Sequence, residues 1–502
     1  MKKKIGLRAV ALLLLLVTVT VLLLTACGGN SEEKKPAAST TASSTTKPSG
    51  DAQSTTELIR SQYQGYDYNE YEFTILGMES GSWWYSGFMS DTFNEVWYET
   101  DSAEPLESSI YTRNRYTEDL LNIKITPVFV DGSAAVAEKL RTALSSGETS
   151  YDLAIGSLYD CMMLAQEGHA ANLYDIDTLD LSNKWWDQNF VEDFTLFHDR
   201  LYTVPGYANV YDDMAVNMLM FNKDMINSMH MESPYTLVHE NRWTLDQIAS
   251  MAKQATYDTG DGTMGPEDNW GLWIGSGGGI LQSGFQQPMT ALNSEGVPEL
   301  MLEREDYVNA ASRLYEAIFQ TSICFDPGAA TELRDEMFAD NRLLFYWIIT
   351  CQLNRYRNMD TEFGIVPMPK LDSAQENYSG SVNQHFFSSY LVPSFNSDLD
   401  RTGVIMEVMG GFSTDTVYET LFDTMLGYDS KLLRDNDSKE MLDIIFSTKL
   451  YSYNLIGLGD GIGKVYSMEE WGSFMYESVL DTYKRGANAA LKKIINNFEA
   501  LQ

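Results

Sequence analysis

Between residues 71 and 168, short apolar runs alternate with amphipathic stretches, and this alternation constrains the fold more than any other feature of the chain. Residues 71–77 predict a strand. Residues 106–121 predict a helix in which Ile110, Tyr111, Arg113, Asn114 and Leu120 share faces at helical spacing, and residues 123–130 alternate as a second strand. A helix over 134–145, a strand over 151–156 and a helix over 158–168, closed by Gly168, follow. The order β-α-β-α-β belongs to an α/β lobe rather than to a sandwich or a bundle.

At 502 residues the chain exceeds the roughly 250–300 at which one hydrophobic core stops growing, and its 44% apolar content is enough for two. Apolar runs at 201–206 and 215–221 flank a polar, aromatic loop. Helices are predicted over 223–231 and 244–254, and a strand at 270–274 opens a second lobe. A helix over 306–320 and strands at 343–350, 362–367 and 386–393 follow, and the chain beyond 401 is mostly helical, ending in 471–498. The expected division is 61–213 for the first part of lobe one, 214–335 for the first part of lobe two, 336–385 for a return to lobe one, and 386–502 for a return to lobe two with C-terminal helices.

The N-terminus reads separately. Lys2, Lys3, Lys4 and Arg8 precede an apolar run over 9–24, shorter than the ~20 residues that comfortably span a bilayer. The following Leu24-Thr25-Ala26-Cys27 resembles the lipobox of bacterial lipoproteins, which implies cleavage after residue 26 and acylation of Cys27. Residues 1–26 are then a signal peptide. Residues 27–60, rich in Ser, Thr, Ala and Lys, form a disordered tether with too little apolar surface to offset its ordering entropy.

The formal charge is −36, and loss of residues 1–26 leaves 31 Lys+Arg against 71 Asp+Glu. Such a field repels phosphate backbones and anionic lipid, which argues against nucleic-acid binding and leaves the lipid as the only membrane contact. Cys161, Cys324 and Cys351 show no Cys-x-x-Cys spacing; a Cys324–Cys351 bridge and buried thiols both remain open. The five histidines form no His-Glu-x-x-His pair, so no metal is expected. Gly457–Lys464 lacks the first glycine and the Ser/Thr of a phosphate loop, and Asp258-Thr259-Gly260-Asp261-Gly262 lacks the alternation of a calcium loop. No cofactor is expected.

Several motifs in order resemble extracellular solute-binding proteins of the maltose-binding type, which serve bacterial ABC importers. They are Tyr151-Asp152-Leu153-Ala154-Ile155-Gly156 with Glu167-Gly168-His169-Ala170-Ala171-Asn172-Leu173, then Leu201-Tyr202-Thr203-Val204-Pro205-Gly206. Next come Met220-Phe221-Asn222-Lys223-Asp224-Met225 and Trp243-Thr244-Leu245-Asp246-Gln247-Ile248. The last are Asp340-Asn341-Arg342-Leu343-Leu344-Phe345-Tyr346-Trp347 and Phe363-Gly364-Ile365-Val366-Pro367-Met368-Pro369. The chain departs from the family at Ser146-Gly147-Glu148-Thr149-Ser150 and at Lys184-Trp185-Trp186-Asp187-Gln188.

The resemblance implies a two-lobed α/β fold of the periplasmic-binding-protein-like type II class, with several hinge crossovers and a ligand cleft between the lobes. It implies a monomer, anchored on the outer face of the cytoplasmic membrane of a Gram-positive cell, that captures a sugar or oligosaccharide by lobe closure and hands it to the transmembrane subunits of an ABC permease. No catalysis is implied.

Sugars present flat C–H faces and a rim of hydroxyls, so they call for aromatic platforms and hydrogen-bonding side chains. The chain has 10 Trp and 29 Tyr, several placed just after predicted strands, where open α/β sheets hold ligands. The candidates for ligand binding are Trp84, Tyr85, Tyr159, Asp160, Tyr211, Asp212, Asp213, Trp273, Trp347 and His385. Core packing for the aromatics and solvated loops for the acids are the competing roles. The competing functions are an anchored glycoside hydrolase, which needs two carboxylates ~5–10 Å apart, and a binding protein for peptide or polyamine.

Overall fold

The computed structural model describes residues 54–80, 93–273, 278–325, 331–425, 432–453, 456 and 476–501. Cys27, Trp84 and Tyr85 lie outside the described residues, as does the glycine-rich run at 457–464. Twelve strands lie among the described residues: β1 (Tyr71–Met78), β2 (Ile123–Val130), β3 (Leu153–Ser157), β4 (Asn217–Asn222), β5 (Trp270–Trp273), β6 (Thr290–Leu292), β7 (Pro298–Leu300), β8 (Leu343–Ile349), β9 (Phe363–Val366), β10 (Gly380–Ser381), β11 (Ser388–Leu391) and β12 (Lys449–Leu450).

The first sheet has the order β11-β3-β1-β2. β1 runs parallel to β2 from Tyr71 opposite Ile123 to Met78 opposite Val130, and parallel to β3 on its other edge. Phe73, Ile75 and Leu76 are buried, because parallel strands covered by helices on both faces need apolar residues on both. The covering helices are α1 (Thr55–Gln62), α2 (Pro105–Leu121), α3 (Ser133–Ser146), α4 (Leu158–Gln166), α5 (Gln188–Phe194) and α6 (Leu399–Ser413). α3 stops at Gly147, whose φ of 72° favours a residue without a Cβ. α6 packs on α1 and α2, so the tether expected over 27–60 gives way to helix at Thr55, where Ile59 has a core to enter. Ile59 of α1 fills the gap left at Gly411, where a Cβ would come within 2.4 Å of it.

The second sheet has the order β5-β8-β4-β9. β8, Leu-Leu-Phe-Tyr-Trp-Ile-Ile, is buried along its length apart from half-buried Trp347, so both its edges need partners. It finds them in β5, parallel, and β4, antiparallel. This corrects the expected return of 336–385 to lobe one: β8 and β9 belong to the sheet of β4, whereas β11, expected in lobe two, pairs antiparallel with β3. Apolar patterning marks a strand as buried but does not say which sheet buries it. The helix expected over 306–320 is α-helical over Glu305–Leu314 and widens to π geometry over Tyr315–Phe319. Cys324 and Cys351 are not joined by a disulfide.

Residues 180–187 are clamped onto α6 by one carboxylate. Glu407 Oε1 accepts from Trp186 Nε1 at 2.9 Å and from the Asp180 amide at 3.0 Å, and Oε2 accepts from Asn183 Nδ2 at 2.8 Å. Burial outweighs these donors and pushes the Glu407 carboxyl up from 4.5 to about 7, and burial likewise raises Asp193 to about 7. The native protein then holds protons that the unfolded chain has released. Stability therefore falls as pH rises from about 4 to about 7, by on the order of 3–4 kcal/mol per group at most. Replacing Glu407 by Gln should shrink the stability difference between pH 5 and pH 8 in urea denaturation; an unchanged difference would show that Glu407 holds no such proton.

Candidate functional site

Among the described residues, three segments carry the chain between the two sheets. The first, residues 204–216, leaves the β11 side through the Val204–Tyr390 bridge and enters β4 beside the Val216–Val382 bridge. It starts at Gly206, where a Cβ would lie 2.2 Å from the Trp185 carbonyl oxygen. Arg113 of α2, fully buried, donates to the Ala208 carbonyl at 3.0 Å and to the Val96 carbonyl at 2.9 Å. Glu95 Oε2 accepts from the Val210 amide at 3.0 Å and from Ser388 Oγ at 2.8 Å, so one carboxylate holds both this segment and the start of β11. The second segment is 382–388, and the third is β12 with the residues up to Tyr453.

Lys449 of the third segment is buried among acids from the other parts of the hinge. Its Nζ lies 2.5 Å from Asp187 Oδ2, 3.0 Å from Asp213 Oδ1 and 3.9 Å from Asp212 Oδ2. Burial opposes the Lys449 charge, but the surrounding carboxylates, Asp187 first, outweigh it and hold the ammonium well above its ordinary value. Burial, reinforced by Asp213, holds the Asp212 carboxyl well above the usual carboxylate range. A buried cation with this many acidic partners is a structural anchor, because leaving water costs each ion several kcal/mol that only close partners recover.

Beside this anchor lies a cavity of about 140 Å³, bounded by Leu158 at the start of α4, Asn217 at the start of β4, Ile280, the second crossing (Ser381, Val382, Asn383, Gln384, His385) and the third (Leu450, Tyr451, Ser452). No carboxylate, ammonium or guanidinium is among these residues. Asn217 is held in place: its Nδ2 donates to the Ser381 carbonyl at 2.6 Å and to Ser381 Oγ at 3.0 Å, and its Oδ1 accepts from Trp347 Nε1 at 2.7 Å. Gln384 Nε2 donates to the Ser452 carbonyl at 2.6 Å and ties the second crossing to the third. The wall is therefore amides, hydroxyls and aliphatic surface, already hydrogen-bonded into shape.

The residues singled out from the sequence divide into two groups. His385 lines the cavity, and its ring centroid lies 4.9 Å from that of half-buried Tyr159. Asp160, next to Tyr159, accepts from Ser157 Oγ at 2.8 Å while its amide donates back to that oxygen, capping α4. Trp347 reaches the cavity wall through Asn217. The others stand back from it. Tyr211 packs edge-on against Phe93 with centroids 5.8 Å apart, and Trp273 is buried with its ring 5.5 Å from Phe325. Asp212 and Asp213 are the hinge partners of Lys449.

Asn217 and Asn383 were not among the expected contacts. The signal for Asn217 was a lone amide at the head of the apolar run Met218-Leu219-Met220-Phe221.

With two α/β lobes, three crossings and a polar cavity between them, the molecule has the architecture of a two-lobed binding protein. Residues 98–307 match the family described as bacterial extracellular solute-binding protein. Among solved structures, UspC of M. tuberculosis is similar at a TM-score of 0.56 and 13% identity, covering 83% of this chain and 99% of its own. The cyclic α-maltosyl-1,6-maltose binding protein of Arthrobacter globiformis is similar at 0.55 and 14%, covering 84% and 99%. An ABC substrate-binding protein of Listeria monocytogenes, solved in complex with cycloalternan, is similar at 0.53 and 12%, covering 84% and 99%. At these identities the likeness is one of fold. No curated protein sequence matches the chain.

The placements of two tryptophans give opposite expectations. Trp273→Ala should cost about 3–5 kcal/mol of folding stability, because it empties a buried site, whereas Trp347→Ala should cost roughly 1–2 kcal/mol. Urea denaturation of the two variants compares them directly. Equal losses would mean that Trp347 is as much a core residue as Trp273.

Proposed function

We propose that this chain is the substrate-binding component of an ATP-driven importer, and that its ligand is a neutral carbohydrate taken up between the lobes. The observation that carries the reading is the chemistry of the cavity wall. In a chain with a net charge of −36, the residues bounding the cavity are amides, hydroxyls, aliphatic groups and the rings of His385 and Tyr451. Burial and the neighbouring Asp187 hold the Tyr451 phenol well above its ordinary value, so it stays neutral. A polyamine would need carboxylates here, and a glycoside hydrolase would need two of them around the cleft. A polyol needs donors, acceptors and apolar surface.

Tyr159, Trp347 and His385 serve as ligand contacts in this reading, joined by Asn217, Asn383 and Gln384, while Asp160 caps α4 behind them; Trp84 and Tyr85 are candidates from the sequence alone. Tyr211, Asp212, Asp213 and Trp273 act from behind the wall. Ligand contacting both lobes stabilises the closed form, which the permease subunits recognise. The likeness to proteins solved with cycloalternan and with maltotetraose supports the sugar class. The sequence motif at Cys27 supports anchoring of a monomer by an acyl chain on the outer face of the cytoplasmic membrane of a Gram-positive cell, with no catalytic role.

A thermal-shift screen of the chain against maltotriose, maltotetraose, cycloalternan, short peptides and polyamines tests this. A ligand at a hundredfold excess over its Kd should add ~2.7 kcal/mol to stability. We expect a shift with a neutral oligosaccharide that is recovered intact. A shift with polyamines or peptides alone would overturn the sugar class, and released product would overturn binding without catalysis.

A further inference from the structure

The third crossing has two faces, and they do different things. An extended chain points successive side chains to opposite sides. Lys449 and Tyr451 reach the first lobe: Lys449 holds Asp187 and Asp213, and Tyr451 donates its hydroxyl to Asp187 Oδ2 at 2.9 Å and its amide to Asp193 Oδ2 at 3.1 Å. Tyr453 continues the same face, with its ring stacked 4.4 Å from Phe194 and its hydroxyl 3.3 Å from the Phe194 carbonyl. The residues between them, Leu450 and Ser452, bound the cavity, and Tyr451 lines it as well while its hydroxyl reaches the first lobe. Leu450 is registered opposite Ser381 in the β10–β12 ladder; Ser381 accepts from Asn217, and Asn217 accepts from Trp347. A continuous series of bonded residues thus runs from Lys449 through Leu450, Ser381 and Asn217 to the Trp347 ring.

We propose that Lys449 is a positioning residue for ligand capture: its ion pairs with Asp187 and Asp213 set where the third crossing lies, and thereby the cavity wall and the orientation of Trp347. This rests on the binding function proposed above, and Lys449 itself touches no ligand. Loss of the ammonium removes the charged ties and leaves the crossing held to the first lobe by Tyr451 and Tyr453 alone, and the wall and the Trp347–Asn217 contact shift with it.

The test uses the full chain labelled with 5-fluorotryptophan, with the Trp347 ¹⁹F resonance assigned by Trp347→Phe. Lys449→Met leaves buried acids without their cation, so the charge-free combination Asp187→Asn, Asp212→Asn, Asp213→Asn and Lys449→Met is prepared beside it, with Lys449→Arg as the conservative variant. Tyr453→Phe, which loosens the same crossing without touching the ion pairs, is the control.

In the absence of ligand, the Trp347 resonance should move in the charge-free combination, return towards the wild-type position in Lys449→Arg, and stay in place in Tyr453→Phe. Maltotriose affinity should fall at least tenfold in the charge-free combination. A Trp347 resonance identical to wild type in the folded charge-free variant overturns the proposal, as does an equal displacement in Tyr453→Phe. Failure of the wild-type chain to bind maltotriose counts against that sugar alone, because the fluorine signal reads the positioning without a ligand.

Discussion

An ammonium removed from water is costly unless several acids close around it, and the hinge of this protein is built where that condition is met. Lys449 draws together a residue before α5, two residues of the first crossing and its own strand. Lys449 is more than two hundred residues from each of these acids in sequence. The cavity wall lies one residue away along the same backbone, so the place where the lobes join and the place where a guest would sit share one framework. Glu95 and Arg113 do the same work from the other side, holding the first crossing through its backbone amides and carbonyls.

The charge of the molecule is distributed against its average. An excess of acid this large covers the exterior with carboxylates and keeps the protein soluble and repelled from polyanions. Those carboxylates that go inside are consumed by partners: Glu407 by Trp186 and Asn183, Asp187 by Lys449 and Tyr451, Asp160 by the cap of α4. What remains at the cavity is neutral and already hydrogen-bonded, so its shape is fixed by the fold itself.

Much of the fold was legible along the chain. The strand expected over 123–130 is β2 to the residue, and the helix over 106–121 differs from α2 only by Pro105 at its start, because both carry strong periodicity and end at clear breaks. The site was less legible. His385, Tyr159 and Trp347 come together at or near the cavity, yet Trp273 has the same position relative to its strand and is buried against Phe325. Asp212 and Asp213 looked like loop acceptors because their partner, Lys449, lies more than two hundred residues away. Pairing of that kind leaves no local trace.

The amino-acid order by itself determined the α/β character, the presence of two lobes and most element boundaries, since these depend on which residues within a dozen neighbours must leave water. Tertiary structure decided which sheet received β8, β9 and β11, which acids met a cation and which aromatics faced a cavity. Each of those choices is made between segments distant in the chain. It is settled by edges that need hydrogen bonds and charges that need partners, quantities defined only once the sheets have formed.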